Sequence, residues 1–283
     1  MTTHDTTATI PRAITRTTRG IPTSDGAGVK LTRVIGTPAI RNLDPFLMLD
    51  EFRSDEPQDY LAGFPDHPHR GFETITYMLA GRFRHKDNQG HEGLLDAGGA
   101  QWMTAGRGIV HSEMPEQEEG LVWGFQLWLN LPASEKMRTP TYKDLQAADI
   151  PCVALGAATA RVLAGSVGGV TGPISGRATE PVFVDVAIPA GQAATVPVPR
   201  GHEGFVYPFE GTVAIGGRIL ARGEIGVLGD GDAITLAAEG GPAKALIVAG
   251  KPLGEPIVQY GPFVMNTRAE VEQAVMDFRA GRF

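Results

Sequence analysis

FPDHPHRGFETITYMLAG, residues 64–81, places a His-Pro-His triplet directly ahead of a strand-like run that ends at a glycine. The run Phe72–Leu79 is rich in β-branched and aromatic residues, as strands in packed sheets are. Val122–Leu129 has the same character, and turns containing Gly or Asn separate such runs about every ten positions. This spacing predicts a β-sandwich or β-barrel, and so an all-β fold class.

The second half of the chain repeats this rhythm, which predicts two β domains. A polar stretch with two prolines, residues 131–149, separates the halves. The length of 283 residues also exceeds the usual size of one domain, and 37 glycines and 21 prolines suit many tight turns. We therefore divide the chain into domains of residues 1–140 and 141–283. Near the end, Thr267 and Glu270 form a capping pattern ahead of an apolar stripe, which predicts one short C-terminal helix.

Two pairs of metal-binding side chains lie in the first domain. His67 and His69 flank Pro68, and His111 and Glu113 are again two residues apart. Residues i and i+2 of a strand point to the same face, so two strands can present four ligands to one barrel interior. Pro68 favours this geometry because it pushes His67 into an extended conformation.

A faint repeat links the two halves of the sequence. Residues 69–73 (HRGFE) align with residues 202–206 (HEGFV), and each run leads through an apolar strand to a glycine. In this alignment Arg200 stands where His67 stands, and Val206 where Glu73 stands. No histidine follows His202 in the chain. We therefore expect the second domain to bind no metal.

The two stretches that carry these pairs resemble the signature motifs of the pirin family. The match covers FPDHPHRGFET at Phe64–Thr74 and QWMTAGRGIVHSEMP at Gln101–Pro115, with a similar C-terminal segment, YGPFVMNT, at Tyr260–Thr267. The resemblance implies two tandem cupin (jelly-roll) barrels, the first of which binds one metal through His67, His69, His111 and Glu113. Cupins in general take their carboxylate from the first motif, where Glu73 stands. The pirin pattern favours Glu113, which leaves Glu73 to fix the barrel or orient a ligand.

Three histidines and one carboxylate leave up to two positions of an octahedral ion open for a substrate or dioxygen, which a structural metal does not need. Iron(II) is the first choice, with manganese, cobalt, nickel, copper and zinc left open. Some pirins are quercetin 2,3-dioxygenases, so the resemblance implies ring-opening oxygenation of a flavonol, with dioxygen as co-substrate and Glu113 as catalytic base. Other pirins are described as redox-sensitive regulators that dock on transcription factors or metabolic enzymes. That alternative, a metal-bound regulatory protein with a protein partner, stays open.

Charge, cysteine content and hydropathy argue against nucleic-acid binding, export and a membrane-spanning segment. The formal charge is -7 and no basic cluster occurs, so direct nucleic-acid binding is not expected. Cys152 is the single cysteine and cannot form an internal disulfide, and the first residues contain no apolar export region. No apolar run is long enough to cross a membrane. A reducing cytoplasm is the expected location.

The remaining candidates are given structural or secondary roles. His85 and His91 lie in a polar, turn-like stretch and are expected to face solvent, and His4 lies near the N-terminus. Cys152 is expected to be a small buried residue. Trp102, Trp123 and Trp128 fit either the barrel core or the pocket wall, with the core as the default, and Phe64, Met103 and Phe125 are candidates for the pocket wall.

Overall fold

The structure is a computed structural model that describes residues 9–283, so His4 lies outside the described residues. Within residues 9–283 the chain is mostly strand and contains one α-helix, α1 (Arg268–Arg279). The strands, in chain order, are β1 (Ile14–Arg19), β2 (Ile21–Asp25), β3 (Val29–Ile35), β4 (Phe46–Ser54), β5 (Phe64–His69), β6 (Phe72–Ala80), β7 (Phe83–Asp87), β8 (Glu92–Leu95), β9 (Ala100–Thr104), β10 (Ile109–Pro115), β11 (Val122–Asn130), β12 (Thr141–Leu145), β13 (Cys152–Leu155), β14 (Ala158–Ala164), β15 (Ser166–Val167), β16 (Val170–Thr171), β17 (Val182–Ile188), β18 (Ala193–Pro197), β19 (Glu203–Glu210), β20 (Thr212–Ile215), β21 (Arg218–Ala221), β22 (Glu224–Leu228), β23 (Ala233–Ala238), β24 (Ala243–Gly250), β25 (Val258–Tyr260) and β26 (Phe263–Met265). The predicted fold class, mostly β with one short C-terminal helix, is confirmed.

The chain divides into two compact units that exchange their terminal segments. Unit I contains residues 20–150 and 252–283, and unit II contains residues 151–251 and the described part of residues 1–19. The exchange follows from strand pairing, because β1 pairs with β22 of unit II and the β25–β26 hairpin bridges to Arg70 of unit I through Phe263. The single boundary between residues 140 and 141 that the sequence suggested leaves each terminal segment with its neighbours in sequence. It also separates β12 from its partner strand β9.

The apolar core of unit II lies between its two larger sheets. The strand orders are β1-β22-β19-β24-β17-β14-β13 and β18-β23-β20-β21. Val184 and Ile247 from the larger sheet and Val196 and Ile234 from the smaller sheet belong to the same buried cluster. The facing side chains of the two sheets therefore form the core of unit II, as in a β-sandwich.

Unit I has the same plan, with sheets β12-β9-β6-β11-β4-β3-β2 and β5-β10-β7-β8. Phe52 and Met78 of the larger sheet pack in one cluster with Phe83 and Leu95 of the smaller sheet. The smaller sheet contains both strands that carry the predicted metal ligands, β5 and β10, as neighbours. The fold of unit I thus brings the two pairs together.

The C-terminal segment of unit I is tied to the turn that follows β5. Helix α1 begins with the predicted capping box, in which the Thr267 hydroxyl accepts from the Glu270 amide at 3.2 Å and the Glu270 carboxylate accepts from the Thr267 amide at 2.8 Å. The buried Arg70 guanidinium donates to the Asp277 carboxylate on this helix at 2.7 Å. No helix among residues 9–283 is long and apolar enough to cross a membrane.

Candidate metal centre

The pairing of β5 with β10 places three histidines side by side. The strands are antiparallel, with His111 directly opposite His67 and Ile109 opposite His69. Directly opposite residues on paired strands point to the same side of the sheet, so the three imidazoles project together. Their ring centroids are 4.4 to 5.0 Å apart, and one ligand nitrogen of each lies within 4.8 Å of the others.

The ring nitrogens of these histidines are available to a ligand. His69 and His111 are buried, and neither nitrogen of either ring has a hydrogen-bond partner of ordinary geometry. His67 Nδ1 lies 2.8 Å from the Pro65 carbonyl, which can only accept, so Nδ1 carries the proton and Nε2 keeps its lone pair. Unpaired polar atoms are costly in a protein interior, and a metal ion would satisfy them.

Burial keeps two of the three imidazoles neutral. It lowers the pKa of His69 and of His111 well below the ordinary value of 6.5, and the neighbouring imidazoles lower both further. Only the Pro262 carbonyl acts in the opposite direction, on the pKa of His69. Neutral imidazole is the form that binds metal. The donor chemistry of this cluster therefore fits a divalent transition metal.

The two candidate carboxylates lie in different surroundings. Glu113 is buried beside the histidines and lines the same cavity, but its oxygens are not part of the group within 4.8 Å. Its Oε1 accepts from the Thr76 hydroxyl at 2.9 Å, and its Oε2 faces the Gln126 amide at 3.5 Å. Glu73 is also buried and accepts from the Thr104 hydroxyl at 2.6 Å on the neighbouring strand. That bond is consistent with a role in fixing the barrel.

The histidine cluster opens into a cavity of about 610 Å³ in unit I. Aromatic and aliphatic side chains dominate its wall, with an ion pair between Arg33 and Asp50 on one part of it. The lining side chains include Leu31, Met48, Phe52, Phe64, Phe83, Trp128, Asp25, Arg33, Asp50, Thr76, Gln126, Glu113, His67 and His69. A cavity of this size is large enough for an aromatic small molecule.

Of the three predicted wall residues, Phe64 lines the cavity and the other two do not. Met103 packs with Ala105 and Ile109 in the core, and Phe125 is buried. Phe125 precedes Gln126 on β11, and because Gln126 faces the cavity, its neighbour points to the other face. The prediction for Met103 and Phe125 is therefore wrong.

The three tryptophans separate into two environments. Trp102 and Trp123 are buried, as expected for core residues. Trp128 is half-buried, lines the cavity and packs against His69 with ring centroids 5.2 Å apart.

His85 is buried, so the prediction that it faces solvent is wrong. The β7–β10 register places it opposite Glu113, which turns its side chain to the inside of the barrel. Its Nδ1 accepts from the Gln101 amide at 2.5 Å, and its Nε2 lies 3.7 Å from the Asp144 carboxylate. The prediction for His91 is confirmed, because it is exposed.

Cys152 is exposed, which contradicts its predicted burial. It begins β13, an edge strand whose side chains alternate between exposed and partly buried positions. In the second domain, His202 is buried, and its carbonyl accepts from Arg12 at 2.8 Å. Within residues 9–283, the His67, His69 and His111 cluster is the group of three or more potential ligands that lies close enough to hold a metal.

Sequence reasoning did not identify Thr76 and Gln126 as part of the site. Each is a polar residue at an inward-facing position of a strand, β6 and β11, and the two lie directly opposite each other. A search for polar residues on the apolar-patterned face of these strands would have identified them. Their contact with Glu113 depends on strand register, which the sequence does not specify.

Two family models match the chain. The first, described as Pirin, matches residues 28–129, and the second, the Pirin C-terminal cupin domain, matches residues 183–283. A pirin-like protein of Caulobacter vibrioides is 50% identical over 274 residues, which cover 96% of this chain and 99% of that protein.

Solved structures share this fold. A crystal structure of quercetin 2,3-dioxygenase from Acinetobacter baumannii matches with a TM-score of 0.90 and 34% identity, over 96% of this chain and 98% of that one. A bacterial pirin from Escherichia coli in complex with nickel(II) matches with a TM-score of 0.67 and 19% identity, over 84% of this chain and 99% of that one, and shows the fold alone. The expectation of two cupin domains is therefore confirmed.

Proposed function

Because the chain belongs to the pirin family, we propose that it is a metal-dependent dioxygenase that cleaves flavonols such as quercetin. The observation that carries this proposal is the cluster of three imidazoles with unpaired nitrogens at a cavity lined by aromatic side chains. The name of the Acinetobacter relative, at 34% identity over nearly the whole chain, supports the substrate class.

In this proposal His67, His69 and His111 hold one divalent ion, with Glu113 as the fourth ligand. Iron(II) is our first choice, with manganese, cobalt, nickel, copper and zinc as the alternatives that this donor set accepts. When bound, the ion supplies Lewis acidity toward a substrate hydroxyl and redox chemistry toward dioxygen. Both oxygen atoms enter the ring-opened product, and one ring carbon leaves as carbon monoxide.

The residues around the ion bind and orient the substrate. Phe52, Phe64 and Phe83 provide flat apolar surfaces for an aromatic ring system and exclude water from it. The Arg33 guanidinium pairs with Asp50 through Nε at 3.0 Å and Nη2 at 2.8 Å, while its Nη1 makes no hydrogen bond within the described residues. That Nη1 is available to a hydroxyl or carbonyl oxygen of a polar aromatic substrate. Glu113 accepts the proton of the substrate hydroxyl on a carboxylate oxygen.

Metal content tests the ligand assignment. Elemental analysis of wild-type protein is expected to give about one transition metal per chain. His111→Ala and Glu113→Ala proteins purified in the same way are expected to lose most of it. His202→Ala is the matched control, because His202 is also a buried histidine but lies in the domain that we expect to bind no metal. Full occupancy in both ligand variants would show that the assignment is wrong.

Turnover tests the activity. With quercetin in air, metal-loaded protein is expected to consume oxygen and release carbon monoxide, and an anaerobic sample is expected to do neither. Glu113→Gln keeps the size of the side chain and removes the base, so turnover should fall much further than metal occupancy. If wild type and Glu113→Gln are equally slow, the oxidation is incidental metal chemistry. The metal-bound regulator would then be the better proposal, in the reducing cytoplasm that the lone Cys152 suggests.

A further inference from the structure

Glu113 is held by two polar side chains that the proposed reaction does not itself require. Thr76 is buried on β6, Gln126 lies directly opposite it on β11, and both face the cavity. The Thr76 hydroxyl lies 2.9 Å from Glu113 Oε1 and 2.5 Å from Gln126 Oε1, while Gln126 Nε2 lies 3.5 Å from Glu113 Oε2. The three side chains therefore form one closed polar group in a mostly apolar wall.

The hydrogen bonds of this group do not leave the carboxylate free. Thr76 has one hydroxyl hydrogen and two acceptors within reach, so the interaction is shared and depends on the exact position of both partners. Both Glu113 oxygens have a protein contact, and neither belongs to the set of atoms within 4.8 Å that the histidines form. For a Glu113 oxygen to join that set, the carboxylate or the imidazoles would have to shift, and a shift of the carboxylate changes its distances to Thr76 and Gln126.

We propose that Thr76 and Gln126 are positioning residues that hold the Glu113 carboxylate at the edge of the histidine cluster. Held there, the carboxylate is close enough to receive a proton from a substrate and is not committed as a permanent ligand. This inference rests on the proposed function, because it explains how one carboxylate serves both as a ligand and as a base. A hydroxyl and an amide suit this role, since their hydrogen bonds are strong enough to orient a carboxylate and weak enough to exchange.

The test compares Thr76→Val with Thr76→Ser. Valine has the shape of threonine without the hydroxyl, whereas serine keeps the hydroxyl. Metal affinity is measured by competition with a chelator, using iron(II) under anaerobic conditions, and kcat and KM are measured separately with quercetin. In Thr76→Val the released carboxylate should bind the metal more tightly, so the metal Kd should fall about tenfold while kcat falls about tenfold and KM changes little. Thr76→Ser should restore both values to near those of wild type.

Two further variants separate positioning from packing. Thr74→Val makes the same substitution two residues earlier on the same buried strand, at a residue that does not hydrogen-bond Glu113, and should change neither value. Combining Thr76→Val with Glu113→Ala should abolish the effect of Thr76→Val on metal affinity, because the side chain through which it acts is gone. If Thr76→Val does not fold, Gln126→Met provides the same comparison.

The outcomes are distinct. Weaker metal binding in Thr76→Val would mean that Thr76 presents Glu113 to the metal and does not hold it back, which overturns the proposal. An unchanged metal Kd, or an effect that persists in the Glu113→Ala background, would overturn it as well. Absence of quercetin turnover in wild type would refute the proposed function, whereas the metal-affinity comparison would still decide the role of Thr76 and Gln126.

Discussion

Lys136 is a fully buried lysine, and replacing it with methionine tests how unit I is held together. Its Nζ donates to the Gly71 carbonyl at 2.8 Å, Asn130 Oδ1 at 2.6 Å and the Val264 carbonyl at 3.0 Å. An ammonium group has three N–H donors, so the three acceptors use all of them. Methionine fills a similar volume but donates nothing, so all three hydrogen bonds are lost, although Asn130 Oδ1 still accepts from the Leu131 amide at 3.0 Å.

The expected loss follows from two opposing contributions. Hydrogen bonds from a charged donor are worth roughly 1.5–3 kcal/mol each, and three are lost. Burial lowers the pKa of Lys136 from 10.5 to about 8, a cost of burying the charge equivalent to about 3 kcal/mol, which the variant no longer bears. The free energy of unfolding should therefore fall by about 1.5–6 kcal/mol, as measured by urea denaturation followed by tryptophan fluorescence.

The same lysine predicts a pH dependence. Between pH 8 and 10.5 the unfolded chain holds the proton that folded Lys136 has released, so the stability of wild type should rise with pH in that window relative to Lys136→Met. Lys30→Met is the control, because Lys30 is exposed and pairs with Asp59 at the surface. A loss in Lys136→Met no larger than in Lys30→Met, with no pH dependence, would refute the reasoning.

Three further predictions concern other parts of the fold. Asp277→Asn weakens the ion pair with the buried Arg70 and should lower the free energy of unfolding by about 1–3 kcal/mol. The Arg70 hydrogen bond lowers the pKa of Asp277, so the contribution of this pair to stability is present at neutral pH. It is lost as acid titrates the carboxyl below pH 3.8. Gly93→Ala would place a methyl group against His85 Cε1, closer than van der Waals contact allows, so it should lower the free energy of unfolding by about 1–3 kcal/mol in denaturation and shift the NMR signals of that imidazole. Unchanged signals would contradict the close packing. Cys152 should react with a thiol reagent in the native state, and protection until denaturation would contradict its exposure.

The histidine cluster could be predicted from sequence because its geometry is local to two strands. His67 and His69 share one face by strand alternation, and His111 lies in a second run with the same spacing. The capping box at Thr267 was predictable for a similar reason, since it involves residues three apart. Only the antiparallel pairing of the two strands had to be assumed.

The wrong predictions concern side chains whose orientation depends on which strands pair, in which register, and on which alternate positions of a strand face the cavity. A polar sequence around His85 suggested an exposed turn, yet β7 pairs with β10 and turns that imidazole inward. Phe125 and Gln126 are neighbours in one apolar run, and composition alone does not tell which of them faces the cavity. Cys152 is exposed because its strand lies at the edge of a sheet, a position that pairing alone determines.

The exchange of terminal segments has a consequence for how the protein is made. Chains are synthesised from the N-terminus, and domains often fold as soon as their residues emerge. The histidines of unit I emerge early, but the β25–β26 hairpin and α1, which contact Arg70 directly after His69, are the last described residues to be synthesised. Unit I therefore lacks these contacts beside His69 until residues 252–283 have been made, so a growing chain that ends at residue 150 contains the histidines without the segment that completes their unit.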